Sequence, residues 1–159
     1  MHLCSRNSDP QAVEATPELH EVENATTCWV QPNKAHQRHG LSIEQLFEPN
    51  VRRFVARLDG VVVRCGGVAM FDEHAEVKRL YTRPVVRGRG VAKALLRKIE
   101  EEVRGAGKSV LRLETGTNQQ EAIGLYEAMG FQPTGPFGPY AAMPARNIET
   151  SLFFEKVLR

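Results

Sequence analysis

The sequence predicts a mixed α/β fold, an α+β mixed sheet with helices packed on it, read in the order β-β-β-α-β-α-β-β. Three observations carry this. Two β-branched or aromatic runs flank Asp59-Gly60 in "RRFVARLDGVVVRCGGVAMF", the mark of a hairpin whose turn residues need positive φ. Apolar spacing changes to every fourth residue at Val91, Leu95, Ile99 and Val103. Each helical stretch beyond that point is followed by a short strand-like run.

Taken in order, residues 1 to about 40 are polar, with prolines at 10, 17 and 32 and no sustained period. "PELHEVEN" is expected as a short helix after Thr16. In "SIEQLF", Ser42 and Gln45 have capping-box spacing ahead of a small apolar stripe. Gly66 and Gly67, inside the second hairpin strand, suggest a bulge or a close backbone approach. "AEVKRLYTR", residues 75–83, is a strand that stops at Pro84. Val77 and Tyr81 share one face while Leu80 falls on the other, which fits a strand buried on both faces or a bulge near Arg79–Leu80.

The helix from Val91 turns Lys93, Arg97, Glu100, Glu101 and Arg104 away from the apolar stripe, a solvated face, and Gly105 or Gly107 closes it. "SVLRLET" is the next strand. Asn118 and Glu121 have capping-box-like spacing for a helix from Gln119 to Met129, which Gly130 ends. "FQPT" and "SLFFEKVL" supply the last two strands.

Composition excludes several classes of function. At 159 residues, with 42% hydrophobic and 25% charged side chains, the chain suits one ordered domain spanning residues 1–159. A net charge of +2, mixed in sign along the chain, argues against a nucleic-acid partner. Cys4, Cys28 and Cys65 make neither a paired framework nor a CxxC unit, which fits a reducing compartment. The first residues lack the apolar run of a signal peptide, and no stretch is long and apolar enough to span a bilayer, so a cytoplasmic protein without membrane partners is expected. His36 and His39 have no Cys or acidic partner at metal-site spacing, and no metal is expected.

Two glycine segments compete as phosphate sites. "RGAGKS", residues 104–109, has Glu102 where a phosphate loop needs glycine, and it runs from helix to strand, the reverse of the required context. "RGRGVA", residues 87–92, has the right context of strand, proline, loop and helix. A helix start offers unpaired N–H groups and a positive dipole end. Gly88 and Gly90 lack the Cβ atoms that would hold a phosphate off the backbone, and Arg87 and Arg89 add charge. Lys93 stands where GxGxxG needs its third glycine, which disfavours a dinucleotide fold. A tight turn with two surface arginines is the competing reading.

"RGRGVA" fits [RQ]-x-x-G-x-[GA] with Arg87, Gly90 and Ala92, and it follows "AEVKRLYTRP" and precedes "LRLETGTNQQEAIGLYEAMGF". In this combination, over roughly residues 53–131, the chain resembles the GNAT superfamily of acyl-CoA-dependent N-acetyltransferases. "FGPY" and "FFEKVL" resemble the end of a bacterial small-molecule subgroup. Residues 1–40 match poorly, and 75–131 form the expected acetyl-CoA-binding core.

The resemblance implies a GNAT-type fold, its central sheet splayed between the strands at 75–83 and 109–115, with acetyl-CoA in the split. It implies a pyrophosphate on Arg87, Gly88, Arg89, Gly90, Val91 and Ala92, and a pantetheine arm paired with the backbone of Leu80, Tyr81 and Thr82. It places Asn118 at a pantetheine-contact position, Tyr126 where a tyrosine protonates the departing thiolate, and Glu76 where a carboxylate acts as general base.

Such groups suit the chemistry. An amine attacks a thioester only when neutral, and the oxyanion and the leaving thiolate each need a donor. No covalent enzyme intermediate is required. Each residue also has a structural reading: Tyr126 as a core aromatic, Glu76 as a solvated or ion-paired strand residue with Glu114 as its rival, Asn118 as a helix cap. His74 is expected at an exposed loop tip, and Cys65 as a small buried residue.

The expected activity is transfer of acetyl from acetyl-CoA to a primary amine of a small molecule, by direct attack in a ternary complex. Acetylation of a protein lysine or N-terminus, and a non-catalytic acyl-CoA sensor, are the alternatives. Phe137, Tyr140 and the final strand suit a homodimer contact. The subgroup commonly reads "FGPYxxDPLSxFxEK"; here Met143 replaces the aspartate and residues are inserted before Ser151, a connection that often borders the acceptor.

Overall fold

The computed structural model describes residues 18–21, as backbone, and residues 44–159. Cys4, Cys28, Trp29, His36, His39 and Ser42 lie outside these. A seven-stranded mixed sheet in the order β1-β2-β3-β4-β5-β7-β6 organises the chain. Its strands are β1 (Glu18–Glu21), β2 (Val51–Leu58), β3 (Val61–Met70), β4 (Ala75–Thr82), β5 (Val110–Gly116), β6 (Gln132–Thr134) and β7 (Ser151–Val157). The helices are α1 (Val91–Gly105), α2 (Gln120–Ala128) and α3 (Ala145–Ile148).

The β2–β3 hairpin turns at Asp59 and Gly60 with φ of 50° and 77°, the left-handed pair expected from Asp-Gly. The helix expected in "PELHEVEN" is instead β1, which pairs antiparallel with β2 from Glu18↔Arg57 to Glu21↔Phe54. The outer edge of β2 supplies a ladder of backbone partners to a segment that has no apolar stripe to hold a helix on the core.

The bulge expected near Arg79–Leu80 lies on β4. Between Cys65↔Tyr81 and Gly67↔Lys78, Arg79 and Leu80 together stand opposite Gly66. Arg79 takes φ 49° to make the bend. Gly66 is the close approach: a Cβ there would collide with Leu80 Cδ2 and lie 3.1 Å from Leu95 Cδ2.

α1 and α2 pack on one face of the sheet. Leu95, Leu96, Ile99 and Val103 are fully buried against Phe54, Val68, Val77, Leu111 and Leu113. Each such side chain stabilises the fold by about 1.5–3 kcal/mol. Both helices end in the paired bonds of a Schellman turn. For α1, Lys108 N–H donates to Val103 O and Gly107 N–H to Arg104 O, with Gly107 at φ 76°. For α2, Phe131 N–H donates to Tyr126 O and Gly130 N–H to Glu127 O, with Gly130 at φ 84°. Gly107 of "RGAGKS" is thus a helix stop.

The solvated face expected on α1 has one exception. Glu100 is buried, its carboxylate 2.6 Å from Lys156 Nζ on β7 and 3.7 Å from Arg104. A long cation arriving from another strand satisfies a charge that helical spacing assigns to solvent. Among the described residues no helix is long and apolar enough to cross a membrane.

Candidate active site

Two features of β4 open the sheet. It pairs in parallel with β5 only from Ala75↔Leu111 to Val77↔Leu113. Past the bulge, the edge of β4 facing β5 has no strand partner among the described residues, so Leu80 and Thr82 present backbone to a gap while Tyr81, between them, pairs with Cys65 of β3. At the end of β4 a 3₁₀ turn, Pro84–Val86, leads into the 87–92 loop.

Gly88 and Gly90 both adopt φ 76°, and a Cβ on either would meet nothing within 4 Å. Glycine is therefore required by backbone conformation, and the space beside it is open. The N–H groups of Gly88, Val91, Ala92 and Lys93 find no backbone acceptor among the described residues. These are the orphan donors of a helix start, and they suit an anion. Arg89 is exposed, and Arg87 approaches Glu121 of α2 at 3.8 Å across the mouth of the gap.

Tyr126 sits on α2, 6% exposed, with its ring 5.8 Å from Phe131 and 6.2 Å from Phe154. Burial pushes its hydroxyl up to about 12, with the nearby Arg64 guanidinium acting in the opposite direction and Glu114 adding to the rise. Arg64, a residue that motif reading passed over, is 4% exposed on β3 beside Thr82. Its Nε is sealed from solvent and has no hydrogen-bond partner among the described residues. Burial brings its guanidinium down to about 10, against smaller raising effects from Tyr126 and Cys65. The signal in the sequence is a lone arginine inside the apolar run "VVVRCGGV".

The other face of the sheet holds a second group. Ala75 and Val77 join the α1 side of the core, so Glu76 and Lys78 point the opposite way. Glu76 is 3% exposed and Lys78 9% exposed. Lys78 Nζ donates to Glu76 Oε1 and, at 3.0 Å, to Tyr140 Oη. Tyr140 Oη itself donates to Glu76 Oε1 at 3.0 Å. Oε2 of Glu76 has no partner among the described residues, yet it is not sealed from solvent as Arg64 Nε is. Glu76 lines a cleft of about 300 Å³ together with Gln45, Asn50, Phe71, Lys78 and Met143. A smaller cleft bounded by Phe71, His74 and Pro139 shares Glu76 with it.

The remaining expectations fall into place around this group. Glu114, the rival carboxylate, accepts a 2.6 Å bond from Ser151 Oγ on β7. Asn118 is exposed between β5 and α2, but it does not cap: Gln119 is the N-cap and no side chain bonds there. The turn bond from Gln119 N–H to Gly116 O has already set the chain direction. His74 is only partly exposed, its ring 5.1 Å from Phe71 and 5.7 Å from Phe137. Burial and then Arg112 lower its imidazole from the ordinary value. Phe137 and Tyr140, expected at a dimer contact, are buried within the chain with Phe153, their centroids 5.2–5.7 Å apart.

A split mixed sheet, a glycine loop at a helix start and a buried tyrosine beside the split define the acyl-CoA N-acyltransferase class of fold. The model of the "Acetyltransferase (GNAT) family" matches residues 16–131, and the chain belongs to that family. It is an acetyl-CoA-dependent acyltransferase, with acetyl-CoA as cosubstrate. Its sequence is 44% identical over 126 residues to an IAA acetyltransferase from Azospirillum brasilense, covering 78% of this chain and 79% of that one. A protein from Klebsiella pneumoniae subsp. pneumoniae MGH 78578, described as an acyl-CoA N-acyltransferase, superposes with TM-score 0.75 at 29% identity, covering 91% of this chain and 99% of that one. A GNAT acetyltransferase from Elizabethkingia anophelis with acetyl-CoA bound shares the fold, with TM-score 0.66 at 16% identity over 89% of this chain and 98% of that one.

Proposed function

We propose that the enzyme transfers the acetyl group of acetyl-CoA to a primary amine of a small molecule, by direct attack in a ternary complex. The observation that carries this reading is Glu76, a buried carboxylate that lines a cleft of about 300 Å³ on the face of the sheet away from Tyr126. That volume is at the lower end of small-molecule sites, which favours a small acceptor over a peptide. In this reading acetyl-CoA supplies the activated acyl group. Its phosphates rest on Arg87–Ala92, and its arm runs along the Leu80–Thr82 backbone near Asn118. Glu76 Oε2 accepts the proton of the incoming ammonium, and Tyr126 donates one to the departing sulfur from the other side of the gap. Residues 1–159 then act as one domain, and the odd count of three cysteines, with no CxxC unit, fits a cytoplasmic setting.

Titration calorimetry with acetyl-CoA, followed by thiol release with phenethylamine, ethanolamine, putrescine, glycine and lysine, tests the reading. Saturable binding with turnover of at least one amine, strongly lowered but still measurable in Glu76→Gln, is the expected result. Binding without any amine-dependent thiol release would overturn it.

A further inference from the structure

Glu76 has two carboxylate oxygens in two different situations. Oε1 takes a bond from the Lys78 ammonium and a second from the Tyr140 hydroxyl, while Oε2 takes none among the described residues and is not sealed, on a residue that lines the cleft. The three side chains close a ring, because Lys78 Nζ also donates to Tyr140 Oη. Lys78 supplies the counter-charge that allows a carboxylate at this depth. Tyr140 is locked from behind, with its ring 5.4 Å from Phe137 and 5.2 Å from Phe153.

Resting on the reading of Glu76 as the proton acceptor, we propose that Lys78 and Tyr140 are positioning residues for it. They hold Oε1 and so fix the plane and depth of the carboxylate, leaving Oε2 as the oxygen that meets the amine. Glutamate has three rotatable bonds, and a base held by two donors on one oxygen spends more of its time in the productive geometry. Tyr140 belongs to the 3₁₀ turn Gly138–Ala142, and its neighbours Pro139 and Met143 line the same cleft. The segment that shapes the acceptor cleft therefore also sets the base. A change of acceptor fit at Pro139 or Met143 would be felt at Oε1 through one hydroxyl.

The test is a double-mutant cycle with acetyl-CoA and whichever amine of the panel above turns over fastest. Tyr140→Phe removes one hydroxyl and keeps the aromatic packing. It is expected to lower kcat about tenfold, a fraction of the roughly 10²–10⁴-fold that a positioned acid–base group contributes, to leave calorimetric affinity for acetyl-CoA unchanged, and to lower the melting temperature slightly through the lost hydroxyl bonds. In a Glu76→Gln background the same substitution is expected to cost nothing further, since its effect passes through Glu76. Lys78→Met is expected to lower kcat more than Tyr140→Phe, with Lys78→Arg recovering part of the loss. If Lys78→Met fails to fold, the tyrosine cycle decides alone. Tyr140→Phe with kcat within about twofold of wild type, or with the same loss persisting in Glu76→Gln, overturns the positioning role. Wild-type turnover in Glu76→Gln removes the base reading itself. An impaired Glu76→Gln beside an unimpaired Tyr140→Phe leaves that reading standing and removes only this one.

Discussion

Gly66 and Leu80 share one space: the side chain that Gly66 lacks is the room that Leu80 Cδ2 occupies. Leu80 lies in the bulge that turns β4 away from β5, so a missing Cβ on β3 accommodates the bend on β4. Gly66→Ala must push Leu80 aside and crowd Leu95, 3.1 Å from the new methyl. Overpacking of this kind costs about 1–3 kcal/mol. The expected outcome is a melting temperature lower by several degrees together with weaker acetyl-CoA binding. A stable variant with wild-type affinity would separate the glycine from the bulge.

Gly90 gives a second prediction, on the phosphate loop. At φ 76° any other residue is strained, though a Cβ meets no neighbour. Gly90→Ala therefore tests conformation alone and is expected to cost about 1–2 kcal/mol of local strain. Gly90→Glu adds negative charge where the orphan N–H groups face an anion, and acetyl-CoA affinity is expected to fall about tenfold beyond the alanine variant. Calorimetry on the two variants separates charge from strain.

Tyr126 yields a kinetic and a pH prediction. Tyr126→Phe keeps the ring and loses the proton, so binding of acetyl-CoA is expected to hold while kcat falls about tenfold or more. Burial, the main cause, raises this hydroxyl from 10.0 to about 12. Below pH 10 both the folded and the unfolded chain are protonated and the shift has no effect. Between pH 10 and 12 the unfolded chain releases its proton and the folded chain retains it, so stability falls as pH rises. Denaturant unfolding across that window should show a shallower decline in Tyr126→Phe than in wild type.

His74 acts at the other end of the scale. Its imidazole is lowered from 6.5, first by burial and then by Arg112, with Glu76, Glu73 and Glu155 opposing. Above pH 6.5 neither state binds the extra proton. Below it the unfolded chain binds a proton that the folded chain resists, so stability falls as pH falls. His74→Gln is expected to flatten that acid limb in urea unfolding measured from pH 7 to pH 5.

The backbone of the cosubstrate side was legible because local rules govern it. Asp59-Gly60, Gly107 and Gly130 are needed for left-handed turns, and the glycines of "RGRGVA" for an open helix start, wherever the rest of the chain goes. The strand at Glu18–Glu21 was not legible, since the β2 edge that it pairs with lies far along the chain. Nor was the environment of Glu76. Tyr140 is 64 positions away in the chain and comes through a turn in the connection between the last two expected strands, so no spacing joins the two. Lys78, two residues from Glu76, was in plain view. Strand alternation puts both on one face, but their common direction matters only once a tyrosine is known to lie above them.

The parallel contact between β4 and β5 runs for only three residue pairs, against seven between β5 and β7. The sheet is thus two panels joined along a short seam, and below the seam little backbone resists their parting. A molecule that bonds Leu80–Thr82 and also touches the far panel would work as a clasp. Amide hydrogens of Leu80 and Thr82, which strand alternation turns away from β3, should then exchange quickly in the bare protein and slow sharply with acetyl-CoA, while that of Tyr81, paired with Cys65, and those of the β2–β3 hairpin barely change. The cosubstrate would be a structural member of the sheet for as long as it stays, and its departure as free CoA would loosen the panels again once per turnover.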